Sequence, residues 1–413
     1  MAAFGVHWIG IFDPLSLLYR SITAAVLPAV QYIVDDASTA VYQADPTIGS
    51  FEVTSATEPV YEFFRDEIFV AERQTFTNAL VIGLVFVGIV ALNLVRPRFW
   101  CRYACPLGAG LGLLSKRTSL RLENRTDICN QCGRCNLACP AAAQPDVPGE
   151  WLPTECYVCW NCVAACSFSG LKFHFEPPWK RPAAGKLDLG KRAVVGAGLA
   201  GVLGIFLLRL TPTAQARRLP PELVRPPGAL AEREFLQRCI QCGACMRVCP
   251  TNALHPAGFV GGAEAAWTPR LIAKIGACEY NCNLCTQVCP TEAIQPLPLE
   301  EKQERKIGLA SFDTGRCLPY AYGRNCAVCE EHCPVPDKAI YFVDVDVETR
   351  DGGMETLLQP RVDPDKCIGC GMCEWSCVFQ DKAAIRVTRA NESRNPDNQP
   401  ILPDFGGDSP YGF

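Results

Sequence analysis

The chain has 413 residues, 49% of them apolar, with 39 basic and 43 acidic side chains and a net charge of −4. That length leaves room for several domains, and so even a charge balance excludes a basic nucleic-acid-binding face as the organising feature. Its 26 cysteines are too few for a disulfide scaffold of this size and too many for ordinary domains, and with four histidines and no C-x-x-C-H no c-type haem attachment is encoded.

The chain opens with "MAAFGVHWIGIFDPLSLLYRS", which lacks the basic start of a signal peptide. Phe4 to Phe12 read as the end of an apolar helix broken at Asp13-Pro14. Leu15 to Val30 read as an amphipathic or re-entrant element at the outer membrane face, which implies a further membrane segment upstream and a longer protein. Asn78 to Val95 is uncharged and can cover a bilayer core with snorkelling ends. It runs into Arg96, Pro97, Arg98, Phe99 and Trp100, a basic and aromatic interface pattern. Acids dominate Phe51 to Thr75 and bases dominate Arg96 to Arg125, so the positive-inside rule places Cys101 and the first two cysteine quartets in the cytoplasm. The first cysteines are Cys101 and Cys105, in a lone C-x-x-x-C-P.

The remaining cysteines repeat. Cys129, Cys132, Cys135 and Cys139 form C-x-x-C-x-x-C-x-x-x-C-P, and Cys156, Cys159, Cys162 and Cys166 keep the spacing with Ser167 for proline. Cys239, Cys242, Cys245 and Cys249 repeat it again; Cys278, Cys282, Cys285 and Cys289 add one residue to the first gap. Cys317, Cys326, Cys329 and Cys333 widen that gap, and Cys367, Cys370, Cys373 and Cys377 restore it. Three thiolates on a tight loop can cap three irons of one [4Fe–4S] cubane, while the fourth cysteine ligates the neighbouring cluster. The spacing therefore predicts six [4Fe–4S] clusters, with the quartets working as first with second, third with fourth and fifth with sixth. Gly133, Gly243 and Gly371 stand where the backbone must bend around inorganic sulfur. Structural zinc uses ligand pairs separated by a longer loop, and a disulfide framework needs no such repeat.

A second apolar stretch, Ala193 to Leu208, follows Lys191-Arg192 and is rich in glycine, like an export segment. If it spans, the last four quartets face the periplasm; "TAQA" at Thr213 to Ala216 resembles a cleavage site. "AIYFVDVDVET", "DGG" and "ETLLQPRV" read as a hairpin. The expected division is a membrane region (1–100, helix about 78–95), then the C-x-x-x-C-P segment with a cytoplasmic two-cluster unit (101–176). A linker with a membrane or export helix near 193–210 comes next (177–230), then two more two-cluster units (231–300 and 301–390) and a polar tail (391–413). The fold class is transmembrane α-helices plus α+β two-cluster ferredoxin modules of the bacterial type.

"RPRFWCRYACPLGAGLGLLSK" followed by two quartets resembles the NapH-like membrane ferredoxins of quinol-dehydrogenase type. "RPPGALAEREFLQRCIQCGACMRVCPTNALHP" and the quartets after it resemble the NapG-like periplasmic ferredoxins with four clusters. The chain thus looks like a fusion of the two, although the NapH-like half lacks further helices and a second C-x-x-x-C-P. The resemblance implies an electron-transfer subunit in the bacterial cytoplasmic membrane that links the quinone/quinol pool to a periplasmic redox partner, a cytochrome or reductase. It also leaves open an accessory ferredoxin that feeds electrons to metalloenzyme maturation. Cys101 and Cys105 are either packing residues or a redox-active, quinone-proximal pair on one helical face; no catalytic residue is expected. His332 should sit beside its cluster, with His174 and His255 as ordinary surface or packing residues. Only His7 lies near a membrane segment, so no bis-histidine haem bridges the membrane.

Overall fold

Short strands enclose the quartets two by two. Leu120–Asn124 pairs antiparallel with Leu171–Phe175, one strand before the first quartet and one after the second. Leu309–Phe312 pairs in the same way with Ile385–Thr388 around the fifth and sixth. Around the third and fourth the pairing shrinks to a bridge between Ala229 and Ile294, flanked by Leu230 N–H to Ala293 O at 3.1 Å and Gln295 N–H to Gly228 O at 2.8 Å. Inside each enclosure a single helical turn carries the third cysteine of its quartet: Arg134–Leu137, Asn161–Ala164, Ala244–Arg247, Leu284–Gln287, Val328–Glu331 and Met372–Ser376.

The computed structural model describes residues 13–48, 51–69, 73–95, 98–115, 118–146, 151–177, 219–348, 353–395 and 398. The expected second membrane or export helix lies outside the described residues, as do His7 and the end of the tail. The chain divides into two units: Leu18–Gly83 gathers with Ile205–Phe413, and Ile11–Leu17 with Leu84–Gly204. The expected membrane region is therefore shared between units.

In the first unit Phe235, Leu254, Leu271, Ile294 and Met246 form a core that also takes Ala24, Phe76 and Ile82 from the N-terminal part. The proline-rich stretch read as linker is structural from residue 219 on: Leu223, Val224 and Arg225 are buried. Arg225 holds Glu232 at 2.6 Å, Glu232 accepts from Arg394 at 2.8 Å, and Glu392 joins Arg394 to Arg389. This chain of buried charges ties the entry to the third quartet to the segment after the sixth, and every member is paired. The insert after the third quartet forms a small hairpin, Leu254–Pro256 with Pro269–Leu271. The longer hairpin is present as Ile340–Glu348 paired with Met354–Val362.

The helix starting at Pro14 runs on to Ala44, beyond the re-entrant element expected at Leu15 to Val30. Its middle, Ile22–Val26, is a π-turn. The wider hydrogen-bond ring relieves the clash and missing donor that Pro28 would bring to a regular helix, so the proline does not end it. Among the described residues it is the one helix long and apolar enough by composition to cross a membrane. The helix expected at 78–95 forms as Ala79–Val95, about 26 Å long. Ile82 is its single buried residue; Leu80, Leu84, Val87, Leu94 and Val95 are all exposed. An apolar surface on every side of a helix suits lipid better than water.

Candidate iron–sulfur sites

Four of the six loops share one backbone path. In the standard C-x-x-C spacing, the residue before the second cysteine and the residue after it both take the left-handed conformation. These are Gln131 and Gly133, Val158 and Trp160, Gln241 and Gly243, Gly369 and Gly371, with φ between 56 and 83°. Two such residues curl the loop so that its cysteines face one cavity. Gly133, Gly243 and Gly371 adopt this freely, whereas Val158 and Trp160 carry side chains that disfavour it. The fourth and fifth quartets, with longer first gaps, reach the same end without either left-handed residue: Asn283 and Ala327 precede their helical turns at φ −130° and −111°.

The cysteines assemble across quartets. Cys129, Cys132 and Cys135 line a cavity of about 380 Å³ together with Cys166, the last cysteine of the second quartet. Cys239, Cys242 and Cys245 share one of about 350 Å³ with Cys289. Cys317, Cys326 and Cys329 meet Cys377 in another of about 350 Å³, and Cys367, Cys370 and Cys373 meet Cys333 in one of about 330 Å³. The two remaining sets follow the same exchange. Burial, and then Cys156, Cys139 and Cys159, pushes the Cys162 thiol up to about 11. Cys285 is likewise raised by burial and then by Cys278, Cys249 and Cys282. Each set is thus three thiols from one loop and a fourth from the partner quartet.

These sets fit a [4Fe–4S] cubane and not a single ion. Among the described residues no three His, Cys, Asp or Glu side chains converge tightly enough to hold one metal ion; the thiols stand apart around the cavity walls. Burial pushes Cys239, Cys317, Cys329 and Cys370 up to about 12, so gathering four thiolates there requires a cationic partner, which iron supplies. Backbone amides already point at the sulfurs. Ala143 N–H lies 3.4 Å from Cys139 Sγ, Gly170 N–H 3.3 Å from Cys166, Ala253 N–H 3.3 Å from Cys249, Ile294 N–H 3.5 Å from Cys289 and Ala384 N–H 3.3 Å from Cys377. Such amides stabilise thiolate ligands and tune cluster potentials.

In the first unit the four sets stand in series. Cys245 and Cys285 are electrostatic neighbours, as are Cys370 and Cys278, and Cys373 and Cys329. Between the second and third sets of this row the backbone itself joins them, Cys278 N–H donating to Cys370 O at 2.8 Å. Lys274 Nζ, from the segment between the third and fourth quartets, reaches the O of Cys377, the last cysteine of the sixth, at 3.3 Å.

Cys101 and Cys105 do not share a helical face. Trp100–Ala104 is a π-turn that stops at Cys105, whose backbone is extended (φ −76°, ψ 119°), and Pro106 begins a new helix to Ser115. Pro106 cannot continue the first helix, so Cys101 is left exposed and Cys105 buried. Gly108 closes the corner: a Cβ there would run into the Cys101 carbonyl. The segment rests on the second quartet. Arg98 lies 4.1 Å over the ring of Tyr157, which stands between Cys156 and Cys159, and Arg102 pairs with Glu155 at 3.3 Å.

Over 208 residues, half of its length, the chain is 34% identical to the ferredoxin-type protein NapG of Escherichia coli, 87% of which is covered. The chain belongs to the ferredoxin-type [4Fe–4S] protein family. It is also 38% identical over 196 residues to the methylamine utilization ferredoxin-type protein MauM of Methylobacillus flagellatus, covering 47% of this chain and 78% of that one. Over 80 residues it is 34% identical to the YccM protein of Escherichia coli, covering 19% of this chain and 22% of YccM. Family profiles match 238–293 as a 4Fe-4S dicluster domain and 78–123 and 359–383 as 4Fe-4S binding domains. The ferredoxin profile at 78–123 covers Cys101 and Cys105 and ends before the first quartet.

Several residues of the sites were not visible in the cysteine pattern. Lys302, buried, donates to the carbonyls of Glu279 and Tyr280 and acts on Cys278. Tyr157, Arg98 and Arg20 contact quartet loops from outside or within them, and no spacing rule marks them. His332 stands beside Cys333 with Nδ1 2.8 Å from Val328 O. His255 is fully buried, accepting from Thr77 N–H at 3.3 Å.

Proposed function

We propose that this ferredoxin-type protein is a membrane-anchored electron-transfer subunit that links the quinone pool to a periplasmic redox partner. In this reading all cysteines other than Cys101 and Cys105 hold six [4Fe–4S] clusters in three two-cluster modules. The observation that carries it is the exchange of the fourth cysteine between partner quartets, seen in every pair. When bound, a cubane supplies a one-electron redox centre, so several in one chain can divide the two electrons of a quinol.

The chain's own residues supply the rest. The all-round apolar surface of Ala79–Val95 supports a membrane anchor at that point. Arg98, Trp100 and Arg102, directly after it, suit a cytoplasmic interface. There Arg98 and Arg102 clamp the C-x-x-x-C-P segment onto the second quartet loop, and exposed Cys101 stands close enough to act electrostatically on Tyr157. That contact supports Cys101 and Cys105 as the quinone-proximal pair. The last four quartets, in series, would face the periplasm.

Reduction by a quinol analogue in membranes tests the reading. The analogue should bleach the iron–sulfur absorbance of the wild type. Cys101→Ser and Cys105→Ser should lose that response and keep both their iron and their reduction by dithionite. Wild-type clusters that stay oxidised with quinol but respond to dithionite would sink the quinone link.

A further inference from the structure

The first helix places a buried cation against the third quartet. Arg20 is completely buried. Its Nη1 donates to Gln241 O at 3.3 Å, within the loop between Cys239 and Cys242, and its guanidinium lies 4.2 Å from the centroid of the Trp267 ring. Nε and Nη2 have no hydrogen-bond partner among the described residues. One turn on, Thr23 Oγ1 reaches Cys242 O at 3.5 Å, and Ala24 enters the core around Cys245. No carboxylate pairs with Arg20 among the described residues; the groups its charge acts on are the thiols of Cys242 and Cys239. Buried Lys302, near the next set, differs in that peptide carbonyls take up its donors.

A buried guanidinium with two idle nitrogens needs an anion. A cluster with four thiolate ligands carries net negative charge, and one more on reduction, so a fixed cation beside it favours the reduced state. We propose that Arg20 is a positioning residue that raises the reduction potential of the cluster held by Cys239, Cys242, Cys245 and Cys289, making that set the electron-accepting end of the four in series. The inference rests on the cubane reading above. It also gives the N-terminal helix a role beside the site, since Arg20 and Thr23 hydrogen-bond the loop carbonyls of Gln241 and Cys242.

The test is a redox titration of the full chain in detergent-solubilised membranes, followed by electron paramagnetic resonance. The signal missing from Cys242→Ser marks the cluster concerned. At a fixed ambient potential, Arg20→Met and Arg20→Gln should lower the reduced-to-oxidised ratio of that signal about tenfold, or 59 mV for one electron, and leave the other signals in place. Arg20→Lys, which keeps the charge, should change the ratio less than about threefold. If both neutral variants lose the cluster, its retention in Arg20→Lys supports the charge, and its loss there too shows a purely structural role and overturns the proposal. An unmoved ratio in a neutral variant with full iron overturns the inference alone. Wild-type protein short of that cluster's iron overturns the reading beneath it.

Discussion

The first two quartets and the last four use the same loop in different surroundings. Between 118 and 177 the buried cluster is Cys135, Cys162 and Leu171, with Leu122, Val163 and Phe173 half-buried around it. Cys132 and Cys159 are exposed. From 219 on, every quartet cysteine is at least half-buried, and the sets sit in cores that include Phe235, Met246, Leu254, Ile340, Val362 and Ile385. A small module with so little apolar core needs a metal group at its centre to stay folded, whereas the modules from 219 on also draw on hydrophobic burial and a buried charge chain.

The largest expected effect comes directly from this contrast. Treatment with an iron chelator under oxidising conditions should remove about eight of about 24 irons early, those of the first two sets. Limited proteolysis should then cut between 118 and 177 while the part from 219 on stays whole. Simultaneous loss from all sets would remove the distinction. Next comes Glu232→Gln, which leaves Arg225 and Arg394 without their shared carboxylate. Denaturant titration should show the part from 219 on weakened by about 3–5 kcal/mol, and the module between 118 and 177 unchanged.

Acid should separate the two regions more gently. Burial alone would raise the Glu232 carboxyl, but Arg225 and Arg394 outweigh it and hold it at about 2. Its ordinary value is about 4.3, so the stability it contributes is complete above that and is lost as pH falls toward 2. Burial lowers His255 to about 4. The unfolded chain binds that proton from about 6.5 downward, so this contribution is complete above about 6.5 and is lost as pH falls toward 4. The melting temperature of the part from 219 on should therefore drop in two stages on acidification, and His255→Asn should remove the upper one.

Much of the site was legible in the chain because cysteine spacing and glycine placement are local. Gly133, Gly243 and Gly371 announce left-handed turns; the hairpin at Ile340–Val362 announces itself by alternation. Val158 and Trp160 take the same turn against their own preference, since closing four thiols around one cavity overrides local propensity. Residues 219–230 read as linker because prolines mark loops, yet Leu223 and Arg225 are buried, and Arg225 donates to Thr268 and to Pro269 O, 43 and 44 positions on. Arg20 meets Gln241 across 221 positions, a contact no local pattern encodes. Pro106, by contrast, was in plain view, and it is what turns Cys105 away from the face of Cys101.

Iron and acid-labile sulfide counted per purified full-length chain test the central claim most directly. Six crossed sets predict about 24 of each. A reproducible value of about 16 or less, in protein whose cysteines are all intact, would contradict the account.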